Sequence, residues 1–207
     1  MRDLVAPTST APAPKWFVTV GRYTNEKNHE RLITAFASVH RRHPEARLLI
    51  VGHGPLQESL ARLIVRLGLV TVAHITGALS NPFSVMSRAD CFVLSSDYEG
   101  QPMVLLEASV LDMPIVSTRF ATVEDALPED TIHIVEQDAE ALAEGMIAFL
   151  DGRVERSHLD STAYNERAVA SFLEALRLPV AARSTPAPAL APATATATAT
   201  APTVRAL

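Results

Sequence analysis

Short apolar runs alternate with amphipathic helical segments along most of this chain, and this alternation limits the possible folds more than any other feature. Strands are predicted at 16–20, 47–51, 72–76, 91–95, 115–118 and 133–135. Helices are predicted to start near residues 28, 55, 82, 102 and 138, and a last one covers 165–176. Asn28 and Asp138 are expected to cap two of them, and Leu67 is expected on the apolar face of the helix that starts near residue 55. Because strands that alternate with helices build parallel sheets, the pattern predicts an α/β fold, a Rossmann-like parallel sheet with helices on both faces.

Composition divides the chain into three parts. Residues 1–15 hold Pro7, Pro12 and Pro14 among small residues and predict an extended, Pro-rich linker. Residues 16–178 are predicted to form one Rossmann-like domain, since 207 residues with 48% hydrophobic content can bury one sizeable core. Residues 184–207 are an Ala/Thr/Pro tail whose small side chains bury too little area to offset ordering entropy, so disorder is expected there.

Charge and cysteine content exclude several classes of function. The net charge is −5 and the basic residues are dispersed, so no nucleic-acid partner is expected. No segment approaches the roughly 20 apolar residues of a membrane span. The single cysteine, Cys91, rules out an intramolecular disulfide and fits a reducing compartment, so we expect the protein in the cytoplasm. The seven histidines show no paired metal-ligand pattern, and neither a metal nor another cofactor is predicted.

The segment 99–107, EGQPMVLLE, places two carboxylates eight residues apart across a predicted strand-to-helix junction. Pro102 suits a first helical position, and the helix is expected to run to about Leu111. Glu99 then lies in the loop, and Glu107 lies about one and a half turns into the helix at roughly 3.6 residues per turn. A ligand on the helix N-terminus, where backbone N–H groups are free, would meet both carboxylates.

A second motif, GRYTNEKN at 21–28, follows the first predicted strand. Arg22 offers a planar fork and Lys27 a mobile point charge, and this pair suits a diphosphate. Parallel strands end at a common edge of the sheet, so segments 21–28, 52–54 and 95–99 are expected to converge there. The turn at 52–54, GHG, lacks the full Gly-rich dinucleotide fingerprint, which argues against a nicotinamide-dependent dehydrogenase.

With these motifs the chain resembles the retaining glycosyltransferases of the GT-B fold grouped as glycosyltransferase family 4. The likeness lies in the spacing of the two glutamates of 99–107 and the residues between them, in the segment 21–28, and in the turn 51–56. The resemblance covers about residues 17–172, and it departs from the family at His53, where an acidic or amide residue is more usual. It implies a nucleotide-diphospho-sugar donor. Arg22 and Lys27 would then grip the diphosphate, Glu107 would bind the ribose hydroxyls, and Glu99 would lie near the transferred sugar.

The resemblance thus implies catalytic roles for Glu99, Arg22 and Lys27, and places the nucleobase against the backbone near Ile75 without selecting a base. The donor-binding residues it implies are Gly21, Arg22, Lys27, His53, Ile75, Gly100, Gln101, Pro102, Met103, Val104 and Glu107.

GT-B enzymes have two Rossmann-like halves, and the chain resembles the C-terminal, donor-binding half, with its Pro-rich start resembling the linker between halves. A separate N-terminal acceptor domain is the implied partner, and we expect poor sugar transfer by the chain alone. Segments 23–29 and 97–102 resemble members that act on cell-wall glycerol-phosphate polymers, which suggests a cell-wall glycan as acceptor. Two alternatives stay open: a GT-B type nucleotide-sugar 2-epimerase, and a non-catalytic nucleotide- or partner-binding remnant of a truncated glycosyltransferase.

Overall fold

A six-stranded parallel sheet forms the centre of the computed structural model, which describes residues 12–124, 126–127 and 131–176. The strands are β1 (Lys15–Val20), β2 (Ala46–Val51), β3 (Ala73–Gly77), β4 (Cys91–Leu94), β5 (Ile115–Thr118) and β6 (His133–Val135). Their order in the sheet is β3-β2-β1-β4-β5-β6, and each neighbouring pair is parallel. The predicted Rossmann-like α/β fold is therefore confirmed.

Helices follow the strands in the alternation that the sequence predicts. They are α1 (His29–Arg42), α2 (Gln57–Arg66), α3 (Phe83–Met86), α4 (Met103–Val110), α5 (Ala139–Leu150) and α6 (Ser161–Ala175). A short 3-10 turn at Asn25–Lys27 joins β1 to α1. Two predicted caps are present: the Asn28 side chain accepts from Arg31 N at 3.1 Å, and the Asp138 side chain accepts from Ala141 N at 2.8 Å.

Two apolar clusters, one on each face of the sheet, hold these layers together. The first packs α1, α2 and α5 against Phe17, Leu48 and Ile50, whereas the second packs α3 and α4 against Val18 and Phe92. Successive residues of a strand point to opposite faces, so each central strand supplies both clusters. The continuous apolar strands of the sequence are explained by this two-sided burial.

The structure corrects several predicted boundaries. Pro102 occupies the cap position before α4 and not its first turn, and α6 begins at Ser161 instead of residue 165. Leu67 lies just beyond α2 and is exposed, although the sequence pattern placed it on the apolar face. Of the predicted linker, residues 1–11 lie outside the described residues, as does the whole predicted tail at 184–207.

The chain divides into two compact units, and the first ends at Asn165. This unit contains the whole sheet and α1 to α5. In the second unit the structure describes residues 166–176, which are helical to Ala175 and expose Val169, Phe172 and Leu176. No helix in the described part of the chain is long and apolar enough to cross a membrane.

The order of the strands determines where a ligand can bind. From β1 the chain adds β2 and β3 on one side, and then crosses to β4, β5 and β6 on the other. The loops that leave β1 and β4 therefore turn to opposite faces of the sheet, and a crevice opens between them at the carboxyl ends of the strands. Both sequence motifs, 21–28 and 99–107, lie in or directly after these two loops.

The first residue of α1, His29, is buried although its Nδ1 has no hydrogen-bond partner in the structure. Its ring packs edge-on against Tyr23, with ring centroids 5.5 Å apart. Burial, with a smaller contribution from the charge of Lys27, lowers the pKa of His29 to about 4. The imidazole is therefore neutral at pH 7, which is the form that a buried site tolerates.

We expect this histidine to make the fold sensitive to acid. Between pH 6.5 and about pH 4 the unfolded chain binds a proton at His29 that the folded chain does not. The free energy of unfolding therefore falls by about 3 kcal/mol as the pH is lowered through this range. Replacing His29 with phenylalanine keeps an aromatic ring but removes the titration. Urea unfolding at several pH values should show a shallower loss for His29→Phe, and equal losses would contradict the prediction.

Candidate functional site

A cavity of about 560 Å³ lies at the carboxyl ends of β1 and β4. The loop after β1 forms one wall, and the loop after β4 with the first turns of α4 forms the other. It is lined by Val20, Gly21, Arg22, Glu26, Lys27, Tyr98, Glu99, Gly100, Gln101, Pro102, Met103, Val104 and Glu107. Its size is within the range of small-molecule sites, roughly 300 to 1,000 Å³.

The cavity brings together all but two of the residues predicted from the sequence. His53 and Ile75 do not line it. His53 is exposed in the loop after β2, and Ile75 packs its half-buried side chain against the apolar cluster shared with α1 and α2. For Ile75 the reason is the strand order, because β3 is two strands away from β1 on the side opposite β4, at roughly 4.8 Å per strand.

The loop after β2 supports the site through its backbone. Tyr23 N donates to His53 O at 2.9 Å, and Leu56 N donates to Tyr23 O at 3.1 Å. A Cβ on Gly52, whose φ is +148°, would lie 1.9 Å from Gly21 O, and one on Gly54 would lie 2.6 Å from Tyr23 O. Both positions therefore require glycine, because the backbones of the loops after β1 and β2 approach each other too closely for a side chain. This close approach holds the loop that carries Arg22 in place.

A network centred on Asp97 ties the two walls together beneath the cavity. The Asp97 carboxylate accepts from Arg31 Nη2 at 2.6 Å and from Asn28 Nδ2 at 3.1 and 3.2 Å, while Asp97 N donates to Glu26 O at 2.8 Å. Arg31 also donates to Ser95 O at 3.0 Å. Charge-assisted hydrogen bonds of this kind are strong when they are half-buried, so they hold the loop after β4 firmly against the loop after β1 and the start of α1.

Lys27 and Glu99 face each other across the cavity floor as an ion pair. Lys27 Nζ donates to Glu99 Oε1 at 2.6 Å, and the two side chains are only 18% and 10% exposed. Ser96 Oγ donates to the same carboxylate oxygen at 2.6 Å. Glu99 Oε2 has no donor among the described residues, so half of this carboxylate remains available to a ligand.

Arg22 differs from Lys27 in that its charge is largely free. Its side chain is 72% exposed, and the nearest carboxylate oxygen, Glu26 Oε1, is 3.8 Å away. Glu26 accepts a hydrogen bond from Thr24 Oγ1 at 2.7 Å, and this bond is the main reason that the pKa of Glu26 is lowered. The guanidinium can therefore turn both its edges toward an anion in the cavity.

Glu107 is a half-buried carboxylate without a partner. It lies on the cavity side of α4, and its carboxylate makes no hydrogen bond or ion pair with residues 12–124, 126–127 or 131–176. Burial raises the pKa of Glu107. An unpaired acceptor that is partly removed from water is destabilising for the free protein, and its position suggests that a ligand donates to it.

Free backbone donors at the start of α4 line the same cavity as this carboxylate. Met103 N donates to Gln101 O at 2.9 Å and Leu105 N to Pro102 O at 2.9 Å, whereas the amides of Gly100, Gln101 and Val104 donate to no carbonyl in the described part of the chain. Orphan N–H groups at a helix N-terminus attract anions. The site thus combines cations and free amides with one acceptor carboxylate.

Sequence reasoning missed three residues of the cavity wall, namely Val20, Glu26 and Tyr98. Glu26 lies inside the motif 21–28, and Tyr98 directly precedes the motif 99–107. Only their positions beside Lys27 and Glu99 could have indicated them. Within the described ranges no group of three or more His, Cys, Asp or Glu side chains is placed to hold a metal ion. Cys91 is buried in β4, and burial raises the pKa of its thiol.

Comparison with known proteins agrees with this fold. A family model described as glycosyl transferases group 1 matches residues 4–166. An uncharacterised glycosyltransferase of Methanocaldococcus jannaschii is 38% identical over 102 residues, which are 49% of this chain and 25% of that protein. Across three curated relatives the match spans 25% to 31% of the relative's length.

Solved structures of glycosyltransferases have the same fold. A mutant of TarM from S. aureus, in complex with fondaparinux, alpha-GlcNAc-glycerol and UDP, aligns with a TM-score of 0.62 at 18% identity and covers 69% of this chain and 31% of that chain. The catalytic domain of cholesterol-alpha-glucosyltransferase from Helicobacter pylori aligns with a TM-score of 0.57 at 24% identity and covers 78% of this chain and 99% of that chain. The chain therefore has the Rossmann-like fold of GT-B glycosyltransferases.

We expect Gly52→Ala to disturb the cavity wall. The added methyl group must push Gly21 away, so the variant should lose about 2 to 4 kcal/mol of unfolding free energy, from overpacking together with strain at positive φ. Gly68→Ala is the matched control, because Gly68 also has a positive φ of +70° but a methyl group there meets nothing within 4 Å. Urea unfolding compares the two variants, and equal losses would show that close approach to Gly21 is unimportant.

Proposed function

This chain belongs to the glycosyl transferases group 1 family, and we propose that it is the donor-binding half of a retaining glycosyltransferase, of family 4 type, that uses a nucleotide-diphospho-sugar. One observation carries the proposal: a free guanidinium, a buried ammonium, orphan amides and an unpaired carboxylate line one cavity at the point where the strand order reverses. The cations and the free amides suit a diphosphate, and the carboxylate suits the hydroxyl groups of a ribose or a sugar.

The cations suit the chemistry of the leaving group. When the bond between the sugar and the diphosphate breaks, negative charge grows on the phosphate oxygen that departs. Arg22 and Lys27, both on the loop after β1, can stabilise this charge without moving far, because the Asp97 network already fixes that loop. Preorganised charges of this kind lower the barrier to departure.

Diphosphate binding also releases Glu99 for the sugar. In the free protein Lys27 is paired with Glu99, and a diphosphate would compete for the ammonium with a larger negative charge. As the pair loosens, Glu99 can accept from a sugar hydroxyl with both carboxylate oxygens. Glu107, already unpaired, accepts from the ribose hydroxyls.

The acceptor is bound elsewhere in this proposal. The chain matches only 25% to 31% of the length of three curated relatives, which supports a further domain that supplies the acceptor site. A cell-wall glycan as acceptor is supported by the likeness to TarM, which was solved with alpha-GlcNAc-glycerol.

The single, buried Cys91 supports a location in the cytoplasm, where conditions are reducing.

Calorimetric titration with UDP, GDP, CDP and ADP tests the site. We expect selective binding of one of them, and Arg22→Ala should weaken it about 10-fold to 150-fold, because one charge-assisted contact of roughly 1.5 to 3 kcal/mol is lost. Arg66→Ala is the matched control, since Arg66 is an exposed arginine of α2 outside the cavity. No binding of any diphosphate by the folded chain would overturn the proposal.

Product analysis separates the proposed activity from its alternatives. Proton NMR of a product formed with donor, a candidate acceptor domain and acceptor should show the anomeric configuration of the donor. Turnover by this chain alone would contradict the assignment to a half-site. Release of free UDP and an epimerised sugar without any acceptor would indicate a 2-epimerase.

We further expect Glu107→Gln to have opposite effects on binding and on stability. Removing a half-buried charge without a partner should raise the free energy of unfolding, whereas diphosphate binding should weaken because the amide accepts the ribose hydroxyls less strongly. The control is Glu140→Gln, a change of the same chemistry on the exposed side of α5. Thermal unfolding and calorimetry measure the two effects, and a less stable Glu107→Gln protein would contradict the first of them.

A further inference from the structure

Tyr98 is the one aromatic side chain among the residues that line the cavity, and it takes no part in the contacts proposed for the diphosphate, the ribose and the sugar hydroxyls. It is 67% exposed, which is high for a large apolar ring, and its hydroxyl has no hydrogen-bond partner in the described part of the chain. Large rings are usually buried against other apolar groups in a free protein. Tyr98 therefore presents unsatisfied apolar surface directly beside the reacting end of the site.

The backbone on both sides of Tyr98 is fixed. Asp97 donates its N–H to Glu26 O at 2.8 Å, and its carbonyl accepts from Gln137 Nε2 at 2.6 Å. Glu99 O accepts from Thr122 Oγ1 at 2.9 Å. Because both neighbours are held, the ring is displayed from a rigid segment and can change only its own two side-chain torsions. A tyrosine held in this way loses little conformational entropy when a ligand covers it.

We infer that Tyr98 is a specificity-determining residue whose ring packs on the apolar C–H face of the donor's sugar. This inference rests on the proposed function, which places the sugar at Glu99. Sugars of the pyranose type are amphipathic: their hydroxyls point outward around the ring, while the axial C–H groups form an apolar patch. Glu99 would accept from the hydroxyls, and Tyr98 would cover the patch.

The geometry favours the sugar over the nucleobase as the partner of the ring. Tyr98 is bonded to Glu99, so their Cα atoms are about 3.8 Å apart. Glu107, which marks the ribose end in the proposed function, lies eight residues farther along and inside α4. A ring attached next to Glu99 is thus closer to the sugar end of the cavity than to the end that would hold the base.

The contact should distinguish sugars from one another. A sugar whose axial hydroxyl interrupts the C–H face would present less apolar surface to the ring, and the hydroxyl would lose water without gaining a hydrogen bond. Burying apolar area against an aromatic ring stabilises the complex in proportion to the area that leaves water. Tyr98 would therefore select sugars with a continuous apolar face, whereas Arg22 and Lys27 bind the diphosphate whichever sugar is attached.

The test compares a nucleoside diphosphate with its glucose conjugate. Calorimetry on the full 207-residue chain gives the affinities for UDP and UDP-glucose, or for the corresponding pair if the four-base titration selects another base. The variants are Tyr98→Ala and Tyr98→Phe, which remove and retain the ring. Phe83→Ala is the matched control, because Phe83 is a 45% exposed aromatic residue of α3 that does not line the cavity.

For Tyr98→Ala we expect the affinity for UDP to stay within about twofold and the affinity for UDP-glucose to fall about three- to tenfold, the effect of losing one aromatic packing contact. Tyr98→Phe and Phe83→Ala should leave both affinities within about twofold of the unmodified chain. This result would support the inference.

Three outcomes would overturn it. Unchanged affinities for both ligands in Tyr98→Ala would show that the ring contacts neither of them. Equal weakening of UDP and UDP-glucose would show that the ring contacts the nucleotide, and a Tyr98→Phe protein as impaired as Tyr98→Ala would show that only the hydroxyl matters. In all three the unmodified chain still binds its nucleoside diphosphate, so the proposed function survives. Failure of the folded chain to bind any of the four diphosphates would overturn both.

Discussion

The parallel pairing of β1 with β4 is the constraint on which the rest of the site depends. These two strands are neighbours in the sheet although two strands and three helices separate them in sequence, and the loops that follow them leave toward opposite faces. A crevice at this edge is unavoidable. The Asp97 network then fixes its width, because Asn28 at the end of the first loop and Arg31 in the first turn of α1 bind a carboxylate of the second loop. Every functional group discussed above is attached to one of these two loops or to α4.

Electrostatics within this crevice follow a division between paired and unpaired groups. Lys27 and Glu99 form an ion pair, and the attraction between them offsets part of the desolvation cost of two largely buried charges. Arg22 and Glu107 remain available, one in solvent and one half-buried. A ligand that carries both phosphates and hydroxyls can bind Arg22 and Glu107 first and then compete with Glu99 for Lys27. The fold therefore keeps a binding-ready site without storing several uncompensated charges.

Prediction from sequence succeeded where local chemistry decides the outcome. Asn28 and Asp138 cap helices as expected, because the capping bond joins residues three apart in the chain. The residues of 21–28 and 99–107 were assigned to one site because carboxyl ends of parallel strands share an edge. His53 was assigned to the same site by that rule and Ile75 by the family resemblance, yet neither lines the cavity. The rule gives the edge of the sheet but not the distance along it, and β3 lies at the far end.

The order of strands and helices, the two-sided burial of the sheet and the family of the motifs can all be read from hydrophobic spacing and residue type along the chain. Which strands are neighbours depends on tertiary packing, and so do the ion pair of Lys27 with Glu99, the isolation of Glu107 and the exposure of Tyr98. The ion pair alone joins residues 72 apart in the chain. Such contacts follow from the packing of whole layers, and no local pattern of residues encodes the distance between two side chains that the fold brings together.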